Sequence, residues 1–466
     1  MTSELKLGLP ASLGSLPADF VFGTATAAYQ IEGGWNEGGR GMSIWDTYAR
    51  TPGKTRNGDS GDIANDHFHR WESDLDLMQS LGIPAYRLNF SWVRLQPTGS
   101  GPLNPQGVEF YRNLIQGLHA RGIKPFVTLY HWDLPQTLED KGGWPNRETA
   151  IAFGEYSRLV AAAFGDIVAD WITINEAWCV AFLGYEMGQH APGKTDPKLG
   201  IAAAHNVLLA HGLALQALRE VNPSLNVGIT NIMNHVVPKT DSAADAAVAD
   251  AVDVRSNRVF MEPLYKGAYD EGCFAAFEQH GLNRVPAAGA LVQPGDLELI
   301  SAEVDFIGVN HYHTLIASAE LASQGGMPAQ MAEPNHQSNW GWPNTPWGLR
   351  GVLDRVARDY SKKPIFVTEN GITLADYATP EGKVNDFDRI DYLNGYIDAV
   401  GQAIQGGTNV AGYFAWSFMD NYEWAEGYSK RFGIVYVDYA SQIRIPKASA
   451  YWYQNVIAEH NKKATK

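Results

Sequence analysis

Two glutamates stand out because each follows a run of residues typical of a buried strand. Glu176 comes directly after the run 171–175, and Glu369 comes directly after the run 365–368. A carboxyl group can donate a proton, accept one or attack carbon, according to its protonation state. Two carboxyl groups facing each other across a pocket suit the cleavage of a glycosidic bond, in which one protonates the departing oxygen and the other stabilises or attacks the electron-poor carbon. From position alone, one of the two could instead be a salt-bridge partner.

The elements that must position these glutamates recur along the whole chain. Short runs rich in Val, Ile, Phe and Tyr alternate with longer stretches that have helical spacing, such as 106–121, 147–164, 199–221 and 388–405. Asn146 is a start signal for the second of these helices. The eight runs are 20–23, 85–90, 125–130, 171–175, 227–230, 306–310, 365–368 and 411–416. Eight β-then-α units predict the α/β class and a (β/α)₈ TIM barrel.

The spacing of the runs also bears on the domain organisation. Successive runs are separated by about 40–80 residues, more than the roughly 30 of a minimal βαβ unit, so extra loops must be inserted around the barrel. No Pro/Gly/Ser linker, charge run or internal repeat divides the chain. We therefore predict an N-terminal extension over residues 1–17 and one barrel domain over residues 18–466, with long loops at the C-terminal face.

Polar and aromatic residues follow every proposed strand. Active sites of such barrels are built at the C-terminal ends of the strands, so these residues should meet on one rim. Each residue by itself could be a helix cap or a loop residue. The joint pattern indicates a binding site, and the 14 Trp, 21 Tyr and 18 Phe of the chain suit stacking on the C–H faces of sugars. The residues concerned are 25–30, 91–92, 131–133, 175–176, Asn231, 311–312, 369–370 and 417–420.

Composition restricts the partners. The 466 residues are 45% hydrophobic and 19% charged, as in a soluble globular chain. With 36 Lys and Arg against 51 Asp and Glu, the net charge of −15 repels nucleic-acid phosphates and anionic membranes. We predict a small-molecule carbohydrate partner, no nucleic acid and no membrane, and we leave the oligomeric state open, a homo-oligomer included. Two cysteines and the lack of an apolar signal core near the N-terminus predict reduced thiols and a cytoplasmic location.

Two motifs could suggest a cofactor or a metal. Residues 188–195 satisfy the letters of a phosphate-binding loop, but Pro192 removes a backbone donor and Pro197 lies where the helix should be running. His67 and His69 are not accompanied by a third ligand at metal-site spacing. We predict no metal and no cofactor, and we interpret both cysteines as core thiols.

The motifs around these residues resemble those of glycoside hydrolase family 1, the β-glucosidases and their relatives. Segments 22–33, 87–92, 131–135 and 173–176 are similar to the family's motifs on the first four strands. Segments 310–312, 368–371 and 416–424 are similar to its later motifs. The resemblance extends from residue 20 to residue 453, which is nearly the whole chain.

This resemblance implies a retaining β-glycosidase that acts by double displacement. The substrates implied are terminal β-D-glucosyl residues of β-glucosides and cellobiose-like oligosaccharides, with galactosyl and fucosyl residues as alternatives, which suits cellulose degradation. The acid/base falls on Glu176 and the nucleophile on Glu369, with Arg87, Asn310 and Tyr312 around the nucleophile. The positions matching substrate-binding residues are Gln30, His131, Trp132, Asn175, Trp416, Glu423, Trp424 and, on the aglycone side, Trp342.

Some features of the sequence leave questions open. The family commonly has proline after the acid/base, where this chain has Ala177, a difference that affects local rigidity more than chemistry. Members acting on 6-phosphorylated sugars usually lack the pair Glu423 and Trp424, so the resemblance implies unphosphorylated glycosides, although Lys430 and Arg431 lie close by in sequence. A transglycosidase and a carbohydrate-binding barrel with reduced catalysis remain as alternatives.

Overall fold

The computed structural model describes residues 8–325, 327–332 and 338–464, and its centre is a closed barrel of eight parallel strands. Each strand pairs with the next one in the chain, and the last pairs with the first. Every predicted strand overlaps one barrel strand, so the predicted (β/α)₈ fold is confirmed. The strands are β1 (Val21–Ala25), β2 (Ala85–Asn89), β3 (Lys124–Tyr130), β4 (Asp170–Asn175), β5 (Asn226–Ile232), β6 (Phe306–Asn310), β7 (Ile365–Asn370) and β8 (Val410–Trp416).

Helices cover the outside of the barrel and the loops around its mouth. The α-helices are Ala28–Ile31, Ile44–Ala49, His67–Ser80, Trp92–Leu95, Pro105–Ala120, Gln136–Glu139, Arg147–Phe164, Pro197–Val221, Ala243–Asp253, Val259–Lys266, Glu271–Phe277, Asp296–Ile300, Ala319–Ser323, Pro346–Asp359, Phe387–Gln405 and Ala448–Ala464. Two segments are π-helical, Cys179–Glu186 and Val254–Arg258. Short 3₁₀ turns are Ala11–Ser15, Arg56–Gly58, Glu278–His280 and Trp424–Glu426. Two small sheets lie outside the barrel: His235–Pro238 with Thr314–Ala317 and Ala329–Met331, and Val435–Asp438 with Ile443–Pro446.

Two helices show how the sequence specifies this outer layer. Helix Arg147–Phe164 has the predicted bounds, and the Asn146 side chain caps it by accepting a hydrogen bond from the Glu148 N–H at 3.1 Å. Helix Pro197–Val221 is long and apolar enough to cross a membrane, but 83% of its most apolar window is buried inside the protein. It packs against helix Arg147–Phe164, so its apolar character is that of a core helix.

Phenylalanine rings fill the interior of the barrel. The Phe126 ring centroid lies 5.0 Å from that of Phe414 and 5.5 Å from that of Phe366. Glycine makes room for these rings, because a Cβ atom at Gly412 would lie 2.7 Å from the Phe366 ring. The interior is therefore a packed core, and ligands can reach only the ends of the strands.

The start of the described chain packs onto the barrel domain. Leu13 and Leu16 are buried, and the Ser12 N–H donates a hydrogen bond to the Asp398 carboxylate at 2.7 Å. Asp398 belongs to helix Phe387–Gln405. Part of the predicted extension over residues 1–17 thus contacts the barrel layer, while residues 1–7 lie outside the described residues; the boundary at residue 18 stays a prediction.

Candidate active site

The two glutamates lie at the C-terminal ends of β4 and β7. Glu176 directly follows β4, whereas Glu369 is the last residue but one of β7, because this strand continues two residues beyond its predicted end. Both side chains are buried. The Glu176 backbone has a φ of 51°, in the left-handed region, and its N–H donates to the Thr230 carbonyl at 2.9 Å. Such a conformation costs free energy in a residue other than glycine, and it is common at functional sites.

Glu369 is held by a cation and a hydroxyl group. Arg87 Nη1 lies 2.5 Å from Glu369 Oε1, and the Tyr312 hydroxyl donates to Oε2 at 2.8 Å. The second guanidinium nitrogen of Arg87 donates to Asn175 Oδ1 at 2.6 Å. Both carboxylate oxygens of Glu369 therefore have fixed, strong partners.

Glu176 has different partners. Asn310 Nδ2 donates to Glu176 Oε1 at 2.7 Å, and the Asn310 oxygen accepts from the Thr368 hydroxyl at 2.7 Å. The Cys179 thiol lies 3.1 Å from Glu176 Oε2. The sequence placed Cys179 in the core; it is indeed buried, but it also contacts a candidate catalytic carboxyl group.

These surroundings give the two carboxyl groups different tendencies to hold a proton. Burial, and then the charge of Glu369, raise the pKa of Glu176 to about 8. Burial also raises the pKa of Glu369, but the Arg87 guanidinium and the Tyr312 hydroxyl act in the opposite direction. Because the ion pair with Arg87 is made by Glu369, a proton shared by the pair resides on Glu176. The site can then offer one acid and one ionised carboxylate at neutral pH.

Gln30 and Glu423 form a second polar group in the same pocket. Gln30 Nε2 donates to Glu423 Oε2 at 3.2 Å and to Asn421 Oδ1 at 3.0 Å. Gln30 Oε1 is buried and accepts no hydrogen bond from the part of the chain that the structure describes. Burial, assisted by the charge of Glu369, raises the pKa of Glu423 to about 8. Both side chains can therefore bind the hydroxyl groups of a ligand.

The orientation of Asn175 determines the tautomer of His131. Asn175 Oδ1 accepts from Arg87, which has only donors, so the amide nitrogen of Asn175 must donate to His131 Nε2, 3.1 Å away. Burial and the Arg87 charge lower the pKa of His131 well below its ordinary value. His131 is thus neutral, with its proton on Nδ1.

Aromatic rings line the pocket beside these polar groups. Trp416 ends β8, and its ring lies 5.9 Å from the His131 ring at an angle of 22°. The Trp132 and Trp424 centroids are 4.5 Å apart, and both residues have positive φ, 78° and 49°. The His190 ring lies 5.2 Å from that of Trp132. This contact was not predicted, because residues 188–195 were considered only as a possible phosphate-binding loop.

Trp342, predicted on the aglycone side, lies beside Tyr312, which donates a hydrogen bond to the candidate nucleophile Glu369. Its ring is 5.4 Å from that of Tyr312 and stacks on Trp340 at 4.5 Å. A cavity of about 600 Å³ opens next to the pocket, lined among others by Tyr48, Trp340, Glu423 and Trp424. This cavity leaves room for the part of a substrate that extends beyond the pocket.

The two cations close to Glu423 in sequence have partners elsewhere. Lys430 Nζ donates to the Asn339 carbonyl at 2.7 Å, and Arg431 Nη1 lies 2.7 Å from Asp420 Oδ2. Arg431 is therefore paired with another carboxylate, whereas Lys430 still interacts electrostatically with Glu423. Within residues 8–325, 327–332 and 338–464, no group of three or more His, Cys, Asp or Glu side chains could hold a metal ion.

A (β/α)₈ barrel with two buried carboxyl groups among aromatic rings at the C-terminal ends of its strands has the architecture of a glycoside hydrolase. The chain belongs to glycosyl hydrolase family 1, whose family model matches residues 12–462, and the predicted resemblance is confirmed. The protein is a glycoside hydrolase.

Its relatives match it over nearly their full length. It is 42% identical to beta-glucosidase A of Acetivibrio thermocellus, over 95% of this chain and 98% of the relative. It is also 42% identical to the bifunctional beta-D-glucosidase/beta-D-fucosidase of Bifidobacterium breve, over 96% and 98% of the two chains. Among solved structures, the beta-glucosidase from Thermotoga maritima in complex with glucoimidazole superposes with a TM-score of 0.90 at 41% identity, covering 96% of this chain and 99% of the other.

Proposed function

We propose that this protein is a retaining β-glucosidase that removes terminal β-D-glucosyl residues from β-glucosides and short oligosaccharides. The observation that carries the proposal is the different environment of two neighbouring carboxyl groups. Glu369 is paired with Arg87 and Tyr312, whereas Glu176 accepts from the neutral Asn310. The names of the relatives support glucose as the sugar, and one of them adds fucose as a second.

In the first step, the ionised Glu369 carboxylate attacks the anomeric carbon. The bond from that carbon to the glycosidic oxygen breaks as Glu176 transfers its proton to this oxygen, and the aglycone leaves as an alcohol. A covalent bond between the sugar and Glu369 remains. This glycosylation removes the negative charge that raises the pKa of Glu176.

In the second step, Glu176 acts as a base. With its pKa lowered, it accepts a proton from water while the water oxygen attacks the anomeric carbon. The bond to Glu369 breaks, and glucose is released with its configuration retained. Both residues return to their starting states.

The remaining residues of the pocket bind and orient the sugar. Gln30, His131, Asn175 and Glu423 supply hydrogen bonds, and Trp416 and Trp424 supply apolar faces. Trp132 helps to position Asn175, since its indole N–H donates to the Asn175 carbonyl at 3.0 Å. Trp342 contacts the aglycone. The buried Glu423 carboxyl group disfavours a sugar 6-phosphate, because the phosphate could lie beside it only while Glu423 kept its proton.

A slow fluorinated β-glucoside tests the proposal. We expect the inactivated protein to carry one sugar label, which peptide mass spectrometry locates on Glu369. A parallel panel of aryl β-glucoside, galactoside, fucoside and 6-phosphoglucoside substrates should give the highest kcat/KM for the glucoside or the fucoside. A label on any other residue, or a preference for the phosphorylated sugar, contradicts the corresponding part of the proposal.

A further inference from the structure

The side chain of Cys179, in the helical segment after β4, contacts the carboxyl group of the candidate acid/base, Glu176. Cys179 is the first residue of the π-helical segment Cys179–Glu186 and is buried. Its Sγ atom lies 3.1 Å from Glu176 Oε2, while Asn310 Nδ2 lies 2.7 Å from Oε1. Each oxygen of the Glu176 carboxyl group therefore has one fixed partner.

The thiol can act only as a donor towards an ionised carboxylate. Burial and the negative charge of Glu176 raise the pKa of Cys179 well above its ordinary value, so the sulfur keeps its proton. An S–H group is a weak donor, and a hydrogen bond to the charged form of a carboxyl group favours that form. The contact therefore opposes the effect of burial on Glu176.

We propose that Cys179 is a positioning residue for the acid/base step: its S–H bond fixes the Glu176 carboxyl group and favours the ionised form that activates water. The inference rests on the proposed role of Glu176 and adds a residue that acts through it. Because the thiol is a weak donor, it steadies the carboxylate without preventing its protonation before the first step.

Other charged and titratable groups also face Glu176. Glu369 on β7 opposes its ionisation, and Arg87 on β2 favours it. Tyr312, after β6, and Glu423, after β8, also interact electrostatically with it. Substitutions at Cys179 leave all four of these residues in place, so a change in titration can be assigned to the lost or altered hydrogen bond.

The experiment compares Cys179→Val, which fills a similar volume without a donor, with Cys179→Ser, whose hydroxyl group is a stronger donor. The high-pH limb of kcat/KM for cellobiose, whose poor leaving group needs protonation, reports the loss of the acid's proton in the free enzyme. We expect this limb to move up by about 0.4–1 pH unit in Cys179→Val, the size expected for one hydrogen bond, and to move down in Cys179→Ser. Cys273→Val is the matched control, because Cys273 is the other buried thiol and lies in helix Glu271–Phe277, away from the pocket.

A direct titration separates the inference from the proposed function. Carbon-13 labelling of glutamate carboxyl groups, with Glu176→Gln to assign the signal, measures the pKa of Glu176 without using activity. We expect the pKa of Glu176 to rise in Cys179→Val, to fall in Cys179→Ser and to be unchanged in Cys273→Val. If the titration of the Glu176 signal shifts but the high-pH limb of kcat/KM does not, Glu176 is not the acid, although its contact with Cys179 is supported. An unmoved signal in both Cys179 variants, or a uniform loss of activity with an unchanged pH profile, overturns the proposal.

Discussion

At the scale of single residues, two glutamates in the same site have different roles. Glu176 and Glu369 are equally buried, but only the partners around them decide which one carries the proton. An ion pair with Arg87 favours a charged Glu369, and an amide donor leaves Glu176 with a raised pKa. The roles can therefore be tested by replacing one carboxyl group at a time.

Glu176→Gln removes the proposed acid while keeping its size. We expect a large loss of kcat/KM for substrates with poor leaving groups and a much smaller loss in the first step for activated aryl glucosides, because the latter leave without protonation. Added azide should partly restore turnover by replacing the water that needs a base. Equal losses for good and poor leaving groups would show that Glu176 is not the acid.

Glu423→Ser tests the recognition of the sugar. Since Glu423 is buried and held by Gln30, this substitution should lower kcat/KM for the glucoside. The expected decrease corresponds to a loss of about 2–4 kcal/mol of transition-state stabilisation. The difference in kcat/KM between the glucoside and the 6-phosphoglucoside should narrow, because the carboxyl group that excludes the phosphate is gone. Measuring kcat/KM on this substrate pair for both proteins checks the result; an unchanged ratio would mean that Glu423 does not exclude phosphate.

At the scale of elements, the segment that leaves β4 combines a left-handed residue with an irregular helix. Glu176 has a φ of 51°, Ala177 begins the following helical turn, and the π-helical segment Cys179–Glu186 continues it. Wide helical turns of this kind frequently occur at functional sites. Here the segment brings Cys179 and Glu176 together.

Ala177→Pro tests the backbone of this segment. Proline is accepted at a first helical position, so we expect the variant to gain about 0.4–1 kcal/mol of unfolding free energy through a less flexible unfolded chain. Urea unfolding measures the gain. Ala181→Pro, inside the π-helical segment, is the control and should destabilise. A loss of stability in Ala177→Pro would show that the left-handed Glu176 does not tolerate a following proline.

At the scale of the whole molecule, buried acids link folding to pH. Asp133 is buried, and neither of its carboxylate oxygens has a hydrogen-bond partner among the described residues. Burial raises its pKa to about 7, and the nearby Arg40 charge offsets this rise only in part. An unfolded aspartate titrates near 3.9, so between about pH 4 and 7 the folded state holds the extra proton and stability falls as the pH rises.

Asp133→Asn should remove this part of the pH dependence. We expect the variant to unfold at about the same temperature as the parent at pH 4, where the parent has lost little of this contribution, and at a higher temperature at pH 8, since the amide never ionises. Thermal unfolding at the two pH values provides the comparison. Asp166→Asn, which breaks an exposed ion pair with Arg112, should change stability little at either pH. An equal effect of Asp133→Asn at both pH values would contradict the assignment.

The sequence by itself determined the barrel and the approximate positions of its strands. Apolar runs and helical spacing are local properties of the chain, so the eight strands and helix Arg147–Phe164 could be predicted close to their observed limits. Glu176 and Glu369 could be predicted at the barrel mouth because parallel strands place their C-terminal ends together. The resemblance to the family pointed to the same two residues, and membership of the family is confirmed.

Only the tertiary structure decided which side chains touch. The last two residues of β7 were missed as strand, because their pairing depends on Asn310 and Ala415 in neighbouring strands. The bond from Cys179 to Glu176 and the carbonyl partner of Lys430 also lay beyond the sequence. Hydrogen bonds require atoms within about 3 Å and a fixed direction. Periodicity places residues on a face or at a strand end, but the closure of the barrel and the paths of its long loops set distances of that size.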